Sequence, residues 1–347
     1  MGNCCSAASH PYRTKAEIYL TKSEQEVYAN VHTLKSEPTA TPPINNESPL
    51  AQIKSPINPE THKIIDNSIE IHAPNRTKAI STPKFPELNQ LESQNIKEKL
   101  GDFVYDRDFE ELPFLSPYML IKSKAIYKGQ WKNGNRHGKG QQYWPDGSFY
   151  QGHWENDKRN GRGRLQTNEG EVYEGQWKEN KMHGKGINIY SNGTVYEGEW
   201  LEDNKHGYGV ETYLDGSKYE GTFILNMKKG YGTQTWADGS IYKGEFNADA
   251  KNGYGILEWS DGRRYAGDWK NNIMEGKGEF TWPDGRSYKG EYKDGMKHGE
   301  GEFTWLNKNK YKGTFVSNKQ HGKGLYIVHN GKVTEGLWEN GVLVQKL

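Results

Sequence analysis

From Tyr127 onward, large and small residues alternate in a pattern that repeats. Tyr127-Lys-Gly-Gln-Trp131 puts a ring, a glycine and a second ring on one side of an extended chain, with polar residues on the other. Such alternation suits a strand with one packed face. The same start recurs at Tyr150, Tyr173, Tyr196, Tyr219, Tyr242, Tyr265, Tyr288 and Tyr311, every 23 residues and without insertion. Thr334 holds the tyrosine's place in a tenth, degenerate unit. Two residues after each start is a glycine, from Gly129 to Gly336. Four residues after it is an aromatic: Trp131, Trp154, Trp177, Trp200, Phe223, Phe246, Trp269, Tyr292, Phe315 and Trp338. A Gly-x-Gly follows, as Gly138 and Gly140, and a turn such as Asp146-Gly147 ends the unit. Thirty-six of the 41 glycines obey this one period, so it is not a chance of composition.

Each unit therefore predicts a β-hairpin, and the chain an all-β, elongated, single-layer antiparallel sheet of consecutive 23-residue hairpins. Tyr-x-Gly-x-Trp is the first strand. The second follows the Gly-x-Gly, as in Gly140-Gln-Gln-Tyr-Trp144. Asp-Gly then makes a two-residue turn with φ > 0 into the next unit. Glycines inside the strands leave room for rings or for close backbone approach. At ~4.8 Å between strands, ten units would span ~90–100 Å. The rings Tyr127, Trp131, Tyr150, Trp154, Tyr173, Trp177, Tyr196, Trp200, Tyr219, Tyr242, Tyr265, Trp269, Tyr288 and Tyr311 are either core or the lining of a binding groove.

Before the array the pattern changes twice. Residues 85–126 are expected to cover the first unit, because an open stack of repeats needs a cap. Leu88, Leu91, Ile96 and Leu100 fall near one face of a helix over Glu87–Leu100, with Gly101 as its C-cap. Phe103 to Tyr105 then read as extended. Tyr118-Met-Leu-Ile121 and Ala125-Ile126 align one period before Tyr143-Trp144 and Phe149, as the second strand of a degenerate leading half-unit. The helix either caps the array or lies in its groove. Residues 1–84, rich in Ser, Thr, Pro, Asn and Lys and without tryptophan, cannot bury enough apolar area to offset ordering entropy. They read as a disordered tail. Within it, Ser23-Glu-Gln-Glu26 is a capping box for one short helix. Thr41-Pro42, Ser48-Pro49, Ser55-Pro56 and Thr82-Pro83 are sites for proline-directed phosphorylation or ordinary linker dipeptides.

Composition narrows the function. Hydrophobic residues are 33% and charged residues 26%, too polar for a large two-layer core, while 22 tyrosines and 11 tryptophans argue against wholesale disorder. A net charge of +1 gives no field to recruit nucleic acid. No apolar run reaches the length of a transmembrane helix, and no secretory leader opens the chain, so a cytosolic, reducing location is expected. Only Cys4 and Cys5 are present, so no disulfide framework exists.

Those cysteines sit in Met1-Gly2-Asn3-Cys4-Cys5-Ser6, which fits an N-myristoylation signal at Gly2. Glycine supplies the unhindered amine that accepts the acyl chain once Met1 is removed. One myristoyl chain binds membranes at only about 10⁴ M⁻¹, and palmitoylation at Cys4 and Cys5 would supply the second signal that stable attachment needs.

The segments Tyr127–Gly140, YKGQWKNGNRHGKG, and Tyr288–Gly301, YKGEYKDGMKHGEG, resemble the MORN repeat (membrane occupation and recognition nexus). The resemblance covers residues 127–347, nine full units and a partial tenth. It implies a twisted single-layer sheet with an aromatic-lined groove, and no cofactor. Leu100-Gly-Asp-Phe103 after a short helix also resembles the lead-in of some MORN proteins of single-celled eukaryotes. The pattern departs at Asn160, Lys229, Asn252 and Glu275, which replace the histidine, and at Asn307-Lys308, which replaces Asp-Gly.

Several motifs invite an enzymatic reading and fail it. His137, His183, His206, His298 and His321 lie a period or more apart, ~10 Å at the least, whereas zinc needs its ligands within ~2.1 Å. Turn hydrogen bonding is their expected role. Gly138-Lys-Gly140 lacks the Lys-Ser/Thr and the helix of a phosphate loop, and no nucleophile elbow occurs. The array carries 32 basic and 29 acidic residues, feeble attraction for an anionic leaflet. The expected function is thus a non-enzymatic scaffold, acylated and held at the cytoplasmic face of a membrane (plasma membrane, cell cortex or ciliary membrane). It would bind partner proteins through its groove or ends. A phosphoinositide-binding module and an axonemal or ciliary structural component are the alternatives. The last strand, within Val342–Leu347, offers an edge for a homodimer.

Overall fold

The computed structural model describes residues 96–106, 112–120 and 122–347, together with the two-residue strand β1 (Glu17–Ile18). Twenty-two strands belong to one open antiparallel sheet. After β2 (Phe114–Met119) they alternate between seven and nine residues, beginning with β3 (Ile126–Lys132) and β4 (Asn135–Tyr143), up to a five-residue last strand, Val342–Lys346. The chain divides into two compact units. One holds the array up to Gly170 with residues 177–180; the other holds residues 171–176 and Lys181–Leu347.

The repeat's logic lies in one contact. Gly129 of β3 faces Gly140 of β4, but Trp131 faces Arg136, so a single residue, Gln130, opposes three. At this β-bulge Tyr127 turns its ring back across both glycines, and its Oη donates to the Gln130 carbonyl at 3.0 Å. A Cβ on Gly129 would stand 2.4 Å from that oxygen, and one on Gly140 would stand 2.2 Å from it. Glycine is therefore required twice per unit by crowding and not by backbone freedom: the ring alone crowds Gly140, while at Gly129 the Gly140 Cα, 2.6 Å from such a Cβ, adds to it. All nine tyrosines make the same bond, as Tyr242 to Glu245 and Tyr311 to Thr314. Burial holds the phenol of Tyr196 well above its ordinary range and pushes that of Tyr311 up to about 12, so these hydroxyls stay protonated donors.

The aromatic four residues on completes the core. Trp131 meets Tyr127 edge-on at 5.2 Å, and Trp154 of the next unit meets the other side of the same ring at 5.5 Å. Later units repeat this: Tyr265 lies between Trp269 and Tyr292, Tyr288 between Tyr292 and Phe315. Edge-to-face pairs of this kind add about 0.5–1.5 kcal/mol each beyond burial. Several indoles also tie unit to unit, since Trp200 and Trp269 donate to the carbonyls of Gly186 and Gly255.

The hairpin turns differ from the sequence expectation. The second strand starts earlier, at Asn135 in the first unit, and contains the His-Gly-x-Gly segment. The two-residue turn with both φ positive is the one within each unit, as Asn133-Gly134 and Asn226 with Leu225. Asp-Gly instead closes a three-residue loop. Trp144 and Ser148 pair across it, only Gly147 has positive φ, and Asp146 accepts from the Ser148 N–H. The histidines consequently lie at the bulge and not in a turn, and Nδ1 of His183 and His206 makes no hydrogen bond. Glycine was expected to supply positive φ, but Asn or Asp does so at most intra-unit turns. There it also clamps the previous unit. Asn226 Oδ1 accepts from the Lys205 N–H at 2.7 Å while its own N–H donates to the Lys205 carbonyl at 3.1 Å. Asp203, Asp249 and Asn272 repeat the clamp on Met182, Lys228 and Lys251.

The leading half-unit is present, with β2 paired antiparallel to β3. Its register slips by one from the 23-residue spacing. Leu120, not Ile121, bonds to Ala125 as Trp144 bonds to Ser148, because this connection is one residue longer. Of the expected helix, residues 96–100 are helical and Gly101, at φ 71°, closes it by donating to the Lys97 carbonyl. Residues 87–95 lie outside the described residues, as do Gly2, Cys4, Cys5, the phosphorylation candidates and the Ser23 capping box.

Two predictions follow from these contacts. Gly255→Ala would drive a Cβ to 2.2 Å from Tyr242 Oη and is expected to destabilise the array by about 1–3 kcal/mol. Tyr242→Phe, which loses the bulge bond but keeps the ring, should cost about 1 kcal/mol, both read as urea-midpoint shifts. At the clamp the usual order of glycine and alanine reverses. Asn226→Gly should cost about 1 kcal/mol for the lost side-chain bond, and Asn226→Ala about 1–2 kcal/mol more for its left-handed φ.

Candidate functional site

Of the predicted site residues, the tyrosine row is sealed. Tyr127, Tyr150, Tyr196, Tyr219, Tyr242, Tyr265, Tyr288 and Tyr311 are 0% exposed. Tyr173, Trp154, Trp177, Trp200 and Trp269 are buried as well, and Trp131 is partly buried. These rings meet one another and the glycines beneath them, which leaves no face for a partner.

The same side of the sheet carries two further rows that the sequence reading did not separate. One lies nine residues after each tyrosine and is mostly cationic. Arg136 stacks on Trp154 and Arg159 on Trp177, each 4.3 Å from the ring centre. Lys228 lies over Tyr219, and Lys297 over Phe303 and Tyr288. Around Lys205 this row becomes a closed polar cluster. Lys205 Nζ pairs with Glu211, whose other oxygen accepts from Tyr213. Desolvation opposes the charge on both partners, but their mutual attraction outweighs it, so Lys205 is held above its ordinary range and Glu211 below. The pair is buried, and its two members satisfy each other.

The second row lies fifteen and seventeen residues after each tyrosine. From Trp259 to Tyr326 it is wholly aromatic. Trp259 contacts Phe280 at 5.4 Å, Phe280 contacts Trp282 at 4.4 Å, Trp282 contacts Phe303 at 5.9 Å, Phe303 contacts Trp305 at 5.0 Å, and Trp305 contacts Tyr326 at 5.7 Å. The row packs on the buried core, yet all of its rings but Phe280 remain partly exposed. Arg263 and Arg286 stack on Trp259 and Trp282 and are oriented by Asp261 and Asp284 at 2.7 Å. Its signal was present in the sequence: Trp236, Trp259, Trp282 and Trp305 recur every 23 residues just ahead of the turn loop.

The opposite side of the sheet is covered in the first two units by the strap after the helix. Phe103 and Tyr105 meet edge-on, Tyr105 packs on His153, and Arg164 donates to the Gly101 carbonyl at 2.9 Å. Asp106 pairs with His153, which is fully buried. At the C-terminal end the strand Val342–Lys346 is exposed along its length. Among the described residues no cluster of His, Cys, Asp or Glu is arranged to hold a metal ion, and no helix is long and apolar enough to cross a membrane.

Comparison with known proteins bears on the fold. Characterised protein sequences give no match. Among solved structures, the TCP domain of Drosophila melanogaster SAS-4 (dCPAP), in complex with a proline-rich motif of Ana2, is 15% identical. That match covers 45% of this chain and 85% of the domain, with a TM-score of 0.30. The TCP10 domain of Danio rerio CPAP is 10% identical, over 62% of this chain and 96% of that one, with a TM-score of 0.33. Virginiamycin B lyase of Staphylococcus aureus is 14% identical over 63% and 69%, with a TM-score of 0.14. Likenesses this distant say nothing of this chain's partners. The MORN repeat model matches nine consecutive stretches, at 127–149, 150–172, 173–195, 196–218, 219–241, 242–263, 265–285, 288–310 and 311–333. With more than half of its length made of these units, the chain belongs to the MORN-repeat family.

Proposed function

We propose that this protein is a non-enzymatic scaffold, anchored by acyl chains at the cytoplasmic face of a membrane, whose aromatic strip from Trp259 to Tyr326 binds partner proteins. The observation that carries the reading is the contrast between the two aromatic rows. The tyrosine row is spent on the core, whereas the strip keeps its rings partly exposed. Aromatic side chains on a rigid sheet are low-entropy anchors of the kind that dominate binding interfaces. Myristate on Gly2 with palmitate on Cys4 and Cys5 would supply the two signals that durable attachment requires.

Direct phosphoinositide binding by the repeats is less favoured. Arg136, Arg159, Arg164, Lys205 and Lys228 are buried, and Glu211 is the one buried carboxylate among the described residues. The small positive excess of the array is therefore not on its surface. An axonemal or ciliary structural role would need neither Gly2 nor an exposed strip. Pairing of two copies through Val342–Lys346 belongs to the same proposal, because an exposed edge strand is a template for another strand.

Random peptides displayed on phage and selected on the full chain should include sequences that fail to bind a Trp259→Ala/Trp282→Ala/Trp305→Ala form of equal thermal stability. Selection of the same peptides by both forms would remove the strip from the account. For the anchor, wild type should sediment with membranes and Gly2→Ala should move to the soluble fraction. A Gly2→Ala protein that stays particulate would favour the axonemal reading.

A further inference from the structure

We propose that the strap is an intramolecular ligand: residues 101–106 close a docking site on the first two units, and an extended, aromatic and acidic segment of a partner protein takes their place. This site lies on the side of the sheet away from the aromatic strip and is independent of it. Three properties of the strap point the same way.

The first is its position. A cap for an open stack covers the edge strand, and here that strand, β3, is already covered by β2. The strap instead crosses the face of three strands. It meets Lys139 of β4, His153 of β5 (Phe149–Glu155), and Arg162 and Arg164 of β6 (Lys158–Gln166). Phe103 and Tyr105 are half-buried, while Val104 between them is 64% exposed. An extended peptide laid on a surface alternates in this way.

The second is what holds it. Lys139 lies 5.2 Å over the Tyr105 ring, and Arg162 and Arg164 lie 5.9 and 5.8 Å from the centre of Phe103. Arg164 donates to the Gly101 carbonyl at 2.9 Å, and Asp106 stands 3.3 Å from His153 Nδ1. Each of these partners on the sheet is charged or polar. Release of the strap returns them to water and bares no row of core rings, so it costs far less than opening the tyrosine side.

The third is charge. Lys139, Arg162, Arg164 and His153 make a basic patch. Residues 101–112 bring Asp102, Asp106, Asp108, Glu110 and Glu111 against one cation, Arg107. Farther along the array the place of His153 belongs to Glu199, Glu245, Asp268 and Glu291, whose carboxylates crowd the glycine eight residues on. That row of the sheet is therefore acidic beyond the strap, and an acidic segment is steered to the first two units.

The test is fluorescence anisotropy of a labelled peptide of residues 101–112, titrated with the full chain. In wild type the tethered strap competes, so binding should be weak. A Phe103→Ala/Tyr105→Ala chain, whose own strap has lost its ring anchors, should bind the peptide at least about tenfold tighter, as when an open site rises from about a tenth populated to fully populated. Arg162→Glu with Arg164→Glu in that chain should abolish the gain, and a peptide with both rings replaced by alanine should not bind. The urea midpoint of the Phe103→Ala/Tyr105→Ala chain should stay near that of wild type, which guards against simple misfolding. A large fall would make the strap a structural cap, and equal affinity of the two chains would make it no competitor. Either result would overturn the proposal. So would a gain that disappears with Trp282→Ala/Trp305→Ala, because the peptide would then sit on the strip. Were phage peptides indifferent to the strip, the binding surface under Proposed function would fall while this site stood.

Discussion

Each unit is organised by a tyrosine ring lying on two glycines across a bulge. The bulge gives the ring a carbonyl to bind, the glycines give it depth, and the ring gives the next aromatic an edge to pack on. A single-layer sheet has no second layer to bury its core. It must bury rings between neighbouring units instead, so stability runs along the array from unit to unit. The Asn/Asp clamp adds a polar counterpart at the hairpin ends.

This economy also separates a sealed row of rings from an open one. Because the tyrosine row is fully enclosed, it cannot serve as a groove, however inviting its period. Positions outside that row are freer to vary, and they do. Around Lys205 and Glu211 the face closes into a polar cluster. From Trp259 onward it carries partly exposed rings bordered by oriented arginines. One repeat thus supplies two surfaces, and they differ by whether a side chain lies over glycine or beside the loop.

Much of this was legible in the sequence. The 23-residue period, the hairpin per unit, the antiparallel sheet and the Gly101 cap all follow from spacing and residue type. The turns were misplaced because Asp-Gly is the strongest hairpin signal known from short sequences, yet here its aspartate keeps φ negative and caps a longer loop. The true two-residue turns use pairs such as Leu225-Asn226 and Ala248-Asp249, whose left-handed backbone is held by the clamp to the previous unit, a tertiary contact. The leading half-unit slipped by one residue because its loop is longer, which no period can show. Likewise, alternation marks which rings share a face but not which are covered, so the sequence reading offered the sealed tyrosine row as a groove and left the strip tryptophans out.

The division between a sealed row and an open strip is tested most directly by oxidative footprinting of tryptophan, resolved by mass spectrometry on the folded full chain. Trp259, Trp282 and Trp305 should be modified well before Trp177, Trp200 and Trp269. Equal rates across both sets, or faster attack on the second, would contradict the assignment of binding to the strip.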